Sequence, residues 1–276
     1  MASFITSGKR WISVLFLLVL FPAQITSNHV ARTDDDDSNP LTASPPFNGW
    51  LVLDGIDDYA ESEDDSELDV GDDTGESLTL EAWVNFYSFY HAGILYKPLA
   101  YFLYADTDLS GARCIGINLW YEPGKSCGFM HCRRPGPALG WHHVAGVYDK
   151  TSAKMWLYLD GEDFGGPYSC PTISNSDERL RVGQGWWIGG ESLAGEVDEI
   201  RISDVVRYSA PFTPPAVSLA CDASTRALWH FNELEGATQF NDSCGSVNNI
   251  LIGYNGAHSA GVPVRRFFLP IATRPE

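Results

Sequence analysis

Apolar and polar residues alternate over several short stretches of this chain, which is typical of β-strands that bury one face. Every second residue from Leu78 to Val84 is apolar. In the stretch 155–159, three aliphatic side chains share one face and Trp156 and Tyr158 share the other. No stretch shows a sustained helical period. The pattern therefore predicts an all-β protein.

Turn-forming residue pairs separate these strands at short intervals along the chain. Five such pairs are Asp54-Gly55, Pro123-Gly124, Pro135-Gly136, Asp160-Gly161 and Gly165-Gly166. Short strands with regular turn signals indicate a sandwich of antiparallel sheets. The chain has 276 residues, enough for one large β-sandwich with appended segments. We expect the sandwich to occupy residues 47–210.

The N-terminal region predicts a signal peptide followed by a linker. Lys9 and Arg10 precede an apolar run, 11–21, which is shorter than the ~20 residues that span a bilayer. We therefore expect a signal peptide over residues 1–27, with an uncleaved anchor as the alternative. Residues 28–46 are acidic and contain paired prolines, which predicts a disordered linker. After cleavage the chain would be secreted or at the cell surface, with no membrane insertion.

Six cysteines in an exported chain favour disulfides. A zinc site is the alternative, but the sequence contains no Cys-x2-Cys pair. Cys221 and Cys244 are well placed to staple the C-terminal segment to itself. The remaining cysteines would then pair among themselves, and the sequence does not choose their pairing: Cys114, Cys127, Cys132 and Cys170.

The charge of the chain is strongly acidic. It contains 36 acidic and 18 basic residues, for a formal net charge of −18. Such a surface repels polyanions, so nucleic acid and anionic membranes are excluded as expected partners. A negatively charged surface favours solubility and the binding of divalent cations.

Five phrases, in this order and spacing, resemble the LamG-like (laminin G-like) jelly-roll domain of the concanavalin A-like lectin/glucanase superfamily. They are Leu51-Val-Leu-Asp-Gly-Ile-Asp-Asp-Tyr59, Leu78-Thr-Leu-Glu-Ala-Trp-Val84, Gly140-Trp-His-His-Val-Ala-Gly-Val-Tyr-Asp149, Lys154-Met-Trp-Leu-Tyr-Leu-Asp-Gly161 and Gly195-Glu-Val-Asp-Glu-Ile-Arg-Ile-Ser203. The resemblance implies a concanavalin A-like jelly-roll sandwich of two antiparallel sheets. That fold carries lectins, adhesion modules and glycosidases, so it does not fix the function.

The resemblance also implies a structural calcium ion. Strict alternation puts Asp198 on the same face as Ile200 and Ile202, pointing into the sandwich, where an unpaired carboxylate is costly. In the resembled family the matching aspartate commonly binds calcium together with backbone carbonyls of the opening loop. That loop contains Asp54, Gly55 and Asp57 in this sequence. A hydrogen-bonded aspartate without a metal is the alternative.

The last of the five phrases contains the acids Glu196, Asp198 and Glu199, so it requires a comparison with glycosidase chemistry. Retaining hydrolysis needs two carboxyl groups about 5 Å apart. Glucanases of similar architecture place an additional glutamate on the strand, where this chain has Ile200 and Arg201. No nucleophile elbow or phosphate loop is present either. We therefore expect no enzyme activity.

Paired aromatic residues supply the candidate sugar platforms. The pairs Trp120-Tyr121 and Trp186-Trp187 each send one ring inward and one outward if they lie on strands. An outward ring can stack on the apolar face of a sugar. The alternative is that these rings belong to the core.

The C-terminal segment, residues 211–276, resembles the opening segment of a LamG-like domain but follows the domain instead. It would complete the sandwich as a circular permutation or begin a truncated second repeat. The function that these features predict is a secreted, non-catalytic module that binds an extracellular carbohydrate or glycoprotein and carries a structural calcium. A protein-binding adhesion or structural module is the alternative, and a polysaccharide-degrading enzyme is a third.

Overall fold

The structure, a computed structural model, describes residues 49–70, 76–185, 192–244 and 249–261, which belong to one compact unit. The expected signal peptide and acidic linker lie outside these residues, as do Trp186 and Trp187. Strands dominate, and a single 3-10 turn, Ser66–Leu68, is the helical element of the described part. None of the described residues forms a helix long and apolar enough to cross a bilayer.

The first sheet contains eight antiparallel strands, numbered here along the chain. Seven follow one another in space: β10 (Glu162–Ser169), β9 (Lys154–Leu159), β8 (Gly140–Asp149), β3 (Leu78–Phe86), β12 (Ala194–Ser203), β1 (Leu51–Asp54) and β16 (His258–Ser259). The eighth, β13 (Thr225–Trp229), pairs with the second half of β12, while β1 pairs with the first half.

The second sheet also contains eight strands. Their order in space is β14 (Gln239–Phe240), β15 (Leu251–Tyr254), β2 (Tyr59–Ser62), β11 (Leu180–Val182), β4 (Ala92–Lys97), β5 (Tyr101–Thr107), β6 (Arg113–Glu122) and β7 (Lys125–Arg133). The inward residues of both sheets form one apolar core. The predicted fold, an all-β jelly-roll sandwich of two antiparallel sheets, is confirmed.

Strands of the C-terminal segment add to both sheets. β16 pairs with β1, β15 pairs with β2, and β13 pairs with β12. The opening and closing parts of the described chain are therefore neighbours in each sheet. That this arrangement is a circular permutation stays a prediction.

All six cysteines form disulfides. The bonds join Cys114 to Cys132, Cys127 to Cys170, and Cys221 to Cys244. The structure thus shows the predicted link within the C-terminal segment and selects a pairing for the other four. Three disulfides are typical of proteins that fold in an oxidising compartment.

The outer face of the first sheet is covered by the segment 204–219. The rings of Tyr208 and Phe212 from this segment stack on each other with centroids 3.6 Å apart and pack on β8 and β9. Beneath them, Glu81 lies between Arg201 and His143 and is completely buried. This polar network fastens the segment to the sheet.

Candidate functional site

The loop between β1 and β2 is a tight acidic turn. One side-chain oxygen of Asp54 accepts hydrogen bonds from the backbone N–H groups of Ile56 (2.7 Å) and Asp57 (3.4 Å). Gly55 has a φ of +77°, and a Cβ atom there would lie 2.4 Å from the Cβ of Ala194. Glycine is therefore required at this turn both by the backbone conformation and by the close approach of β12.

Asp58 is the last residue of this loop, and its buried carboxylate has a hydrogen-bond partner on only one of its two oxygens. It is 4% exposed. Its Oδ2 accepts a hydrogen bond from the N–H of Asp54 at 3.0 Å, but its buried Oδ1 has no hydrogen-bond partner. Burial raises the pKa of Asp58 above its usual range, and the charges of Asp54 and Asp57 act in the same direction.

The turn between β15 and β16 closes over this loop. The Asn255 side chain donates a hydrogen bond to the carbonyl of Asp57 at 2.9 Å. Gly256 faces the unpartnered oxygen of Asp58, because a Cβ at Gly256 would lie 2.7 Å from it. A residue of the C-terminal segment thus holds the acidic loop in place.

Oxygen atoms of Asp54, Asp57 and Asp58 all lie within 4.8 Å of one another. Calcium binds oxygen at 2.3–2.6 Å, so ligands on opposite sides of one ion are about 5 Å apart. Asp54 and Asp57 are exposed, while Asp58 supplies a buried oxygen that lacks a partner. The donor set therefore fits a hard divalent cation such as calcium, which would also neutralise the repulsion among the three carboxylates.

Two tyrosines stack directly beside the acidic loop. Tyr59 follows Asp58 on β2, and Tyr254 lies opposite it on β15. Their ring centroids are 5.0 Å apart with an interplanar angle of 17°, and Tyr254 is 38% exposed. The guanidinium of Arg181 lies 5.8 Å from the Tyr59 centroid.

Arg181 belongs to a small charged group next to these rings. Its Nε donates to Oε2 of Glu61 at 2.7 Å, and Arg179 donates to Oε1 at 2.9 Å. The inward neighbour Ala60 is in the core, so Tyr59 and Glu61 face outward on the second sheet. The result is an outward-facing group of two aromatic rings, one carboxylate and two guanidinium groups beside the candidate cation loop.

Comparison with known sequences identifies the family. A family profile described as the concanavalin A-like lectin/glucanases superfamily (Laminin_G_3) matches residues 54–210, more than half of the chain. The chain belongs to this superfamily. The LamG-like resemblance of the sequence phrases is thereby confirmed. A comparison with curated protein sequences gives no match.

Solved structures are similar to this chain at low sequence identity. A putative carbohydrate-binding protein from Bacteroides ovatus matches with a TM-score of 0.60 and 16% identity, over 79% of this chain and 60% of that one. The present chain thus spans less than two thirds of that protein. A heptameric SAP-like pentraxin from Limulus polyphemus matches with a TM-score of 0.48 and 14% identity, over 78% and 98% of the two chains. At 16% identity the likeness to the first of these proteins shows the fold alone.

Asp198 of this LamG-like domain lies outside the group of three loop aspartates. It is opposite Trp83 on β3, whereas Ile202 is opposite the core residue Leu80. Directly opposite residues share a face, so the expectation that Asp198 points inward with Ile202 is wrong. The cause is a β-bulge between Asp198 and Arg201, which shifts the alternation by one residue.

Asp198 is nevertheless fully buried. Its Oδ1 accepts from the N–H of Glu199 at 2.7 Å, and its Oδ2 has no hydrogen-bond partner. Burial raises the pKa of Asp198 to about 9, and the charge of Glu199 contributes to the increase. The carboxyl group is therefore protonated at neutral pH unless a cation binds it. Its role as a calcium ligand stays a prediction.

The candidate sugar platforms differ in accessibility. Trp120 is 3% exposed and packs with Tyr96 and Phe102, which leaves little ring surface for stacking on a sugar. Tyr121 is partly buried at the end of β6. Trp186 and Trp187 fall outside the described residues, so all four platforms stay predictions.

The carboxylate of Glu196, considered above for glycosidase chemistry, has structural partners on β3 and after it. Its two oxygens accept hydrogen bonds from the Asn85 amide and the Tyr87 hydroxyl, each at 2.7 Å. Asp198 and Glu199 on the same strand are buried. These contacts describe a framework rather than two carboxyl groups that flank a substrate.

Sequence reasoning missed Asp58, Tyr59 and Tyr254 as site residues. Asp58 could have been found from the run of acids in Asp54-Gly-Ile-Asp-Asp58, because it is the last residue before an alternating strand. Tyr254 carried no such signal. Its position beside Tyr59 depends on the pairing of β15 with β2, which joins residues nearly two hundred positions apart.

Proposed function

We propose that the protein is a secreted, non-catalytic recognition module that binds an extracellular carbohydrate or glycoprotein at the edge formed by the β1–β2 loop and the β15–β16 turn. The observation that carries this proposal is the Tyr59–Tyr254 stack, with the Tyr254 ring exposed, directly beside the cluster of three aspartates. Aromatic rings provide flat apolar surfaces for sugar rings, and nearby polar groups fix the orientation of the ligand.

The polar groups at this edge match the hydroxyl groups of a sugar. Arg181 is partly exposed and keeps guanidinium N–H donors beyond the one that binds Glu61. Asn255 adds an amide whose orientation is set by its bond to the Asp57 carbonyl. The likeness in fold to a putative carbohydrate-binding protein is consistent with this proposal.

Calcium at Asp54, Asp57 and Asp58 would be a structural ion in this module. It would satisfy the unpartnered oxygen of Asp58 and hold the loop against the β15–β16 turn. Because Tyr59 follows Asp58 directly and Tyr254 precedes Asn255, the ion would position both stacked rings.

Thermal unfolding tests both parts of the proposal. The mature chain is heated with calcium or with chelator, each across a panel of soluble polysaccharides. A ligand that binds only the folded state adds about 2.7 kcal/mol at 100 times its Kd, which raises the Tm by several degrees. Calcium is expected to raise the Tm in the parent and not in Asp57→Asn.

The tyrosine variants localise the ligand. Tyr254→Ala is expected to lose the shift caused by the bound polysaccharide and to keep the calcium shift. Tyr90→Ala is the matched control, since Tyr90 is also exposed (64%) and lies on the β3–β4 turn. A calcium shift without a response to any polysaccharide would instead favour the protein-binding adhesion module.

A further inference from the structure

Three arginines in the described part of this acidic protein lack a carboxylate partner, and they lie together. Arg113, Arg133 and Arg134 form no ion pair. Every other described arginine pairs with a carboxylate, namely Arg179, Arg181, Arg201, Arg207 and Arg226. With a formal net charge of −18, carboxylates are abundant on this chain, so three neighbouring arginines without an ion pair are an exception.

The strand register brings these side chains together. Arg113 opens β6 and lies directly opposite Arg133, the last residue of β7. The adjacent opposite pair, Cys114 and Cys132, is joined by a disulfide. Arg134 follows at once in the chain. Two covalently linked strands and the residue that follows β7 therefore carry three guanidinium groups, and we call these groups the arginine corner.

Neutral contacts hold the guanidinium groups of the arginine corner. Arg113 lies 5.5 Å from the ring centroid of Phe89, and Arg133 lies 4.6 Å from that of Phe164. Ring contacts of this kind fix the planes of guanidinium groups without neutralising their charge.

Each guanidinium of the arginine corner also donates to a backbone carbonyl. The acceptors belong to Pro137 for Arg113, to Asp163 for Arg133 and to Ser110 for Arg134. A guanidinium carries five N–H donors, so donors remain on all three side chains.

A cleft of about 280 Å³ lies beside Arg133, lined also by the loop Pro135–Pro137 and by Phe164. Its acidic residues are Asp160 and Glu162. Asp160 is hydrogen-bonded to the His142 ring at 2.7 Å and accepts a second hydrogen bond from the backbone N–H of His143. Asp108 interacts electrostatically with Arg134, and it also accepts hydrogen bonds from its own turn.

We propose that the arginine corner is a second binding site, which takes an anionic group, a carboxylate or a sulfate, on a glycan ligand. Its chemistry follows from oriented guanidinium groups that form no ion pair with a carboxylate and can bind such anionic groups through paired charge-assisted hydrogen bonds. That the anionic group belongs to a glycan rests on the function proposed above. The acidic remainder of the surface confines polyanion binding to this corner.

The site is tested by measuring how the full mature chain binds three polysaccharides. Dextran sulfate carries sulfate, polygalacturonate carries carboxylate, and dextran is the neutral control. We expect one or both anionic probes to bind, with an affinity that falls steeply as salt is added because the charges are at the surface. The double variant Arg133→Gln/Arg134→Gln should lower that affinity by about tenfold or more.

Two control variants separate this inference from the proposed function. Lys154→Gln removes an exposed cation outside the arginine corner and should leave anionic binding unchanged. Tyr254→Ala should also leave it unchanged. Absence of binding by both anionic probes, or equal loss in Lys154→Gln, would overturn the inference. Loss in Tyr254→Ala but not in the arginine variant would place anionic ligands at the tyrosine edge and likewise overturn it.

Discussion

Glu81 and Asp198 lie on neighbouring strands of the same sheet and are both completely buried, yet their surroundings differ. Both oxygens of Glu81 have partners: Arg201 at 2.6 and 2.8 Å, Tyr208 at 2.6 Å and His143 at 3.1 Å. Burial alone raises the pKa of Glu81, but these hydrogen bonds and charges outweigh it and lower the pKa. Asp198 has one bonded oxygen and a raised pKa.

The difference separates two uses of a buried acid. A carboxylate whose oxygens are all satisfied is part of the framework, because its charge is balanced by the chain itself. An acid with an unpartnered oxygen depends on a proton or a cation from solution. Asp58 and Asp198 are both of the second kind, but among the described residues only Asp58 belongs to a group of three carboxylates close enough to share one ion.

Replacing Glu81 should have the largest effect. Glu81→Gln leaves Arg201 buried without its counter-charge, and breaking a buried pair in this way costs about 3–5 kcal/mol. Urea unfolding at neutral pH measures the loss in the free energy of unfolding. Glu63→Gln is the control, since its side chain is 74% exposed and its pair with Arg179 should be worth less than about 1 kcal/mol. Equal losses would show that the Glu81 network is not structural.

Replacing Asp58 should remove the response to calcium. Asp58→Asn keeps a side-chain oxygen but removes the charge from the only buried member of the loop cluster. The calcium-dependent increase in Tm, several degrees in the parent at about 100 times the Kd, should be mostly lost. Paired melts with calcium and chelator measure it. An undiminished shift would move the ion away from this loop.

Replacing Asp198 should have a smaller effect in chelator. At neutral pH a carboxyl group with a pKa of about 9 is already uncharged, so Asp198→Asn exchanges one neutral group for another of similar size. We expect the free energy of unfolding in chelator to change by less than about 1 kcal/mol. A large calcium shift in the parent that vanishes in Asp198→Asn would instead identify Asp198 as a ligand.

The smallest effect concerns a surface pair and its dependence on pH. Two hydrogen bonds from Arg207, at 2.8 and 2.9 Å, hold the pKa of Asp222 well below its usual range. A depressed pKa adds stability above about pH 4, the unfolded value, and this stability is lost as the pH falls further. The side chain is 52% exposed, so the contribution should stay below about 1 kcal/mol. Asp222→Asn should therefore lower the Tm slightly at pH 7 and by a smaller amount at pH 2.

The sequence predicts the fold well because the relevant signals are local. Alternation from Leu78 to Val84 corresponds to β3, and the phrase 154–161 corresponds to β9 and the turn after it. Disulfide formation also followed from composition. The pairing of Cys127 with Cys170 could not be predicted, because it depends on how distant strands pack.

Only part of the candidate site could be predicted from the sequence. Asp54 and Asp57 could be predicted because they lie in a recognisable turn, and the structure places them together. The bulge at Asp198 is invisible in an alternating run, since one extra residue changes the face without changing the composition. Tyr254 and Gly256 join the site only through long-range strand pairing.

The last strands of the sandwich impose an order on biosynthesis. One edge of β2 stays unpaired until β15 has been synthesised, and one edge of β1 stays unpaired until β16 has been synthesised. At about 5–20 residues per second, a ribosome leaves the edge of β2 open for about 10–40 s. During that time the nascent chain exposes strand edges that invite pairing with other chains. A premature stop before residue 225 would make this exposure permanent, so we expect such products to aggregate or to be retained by chaperones.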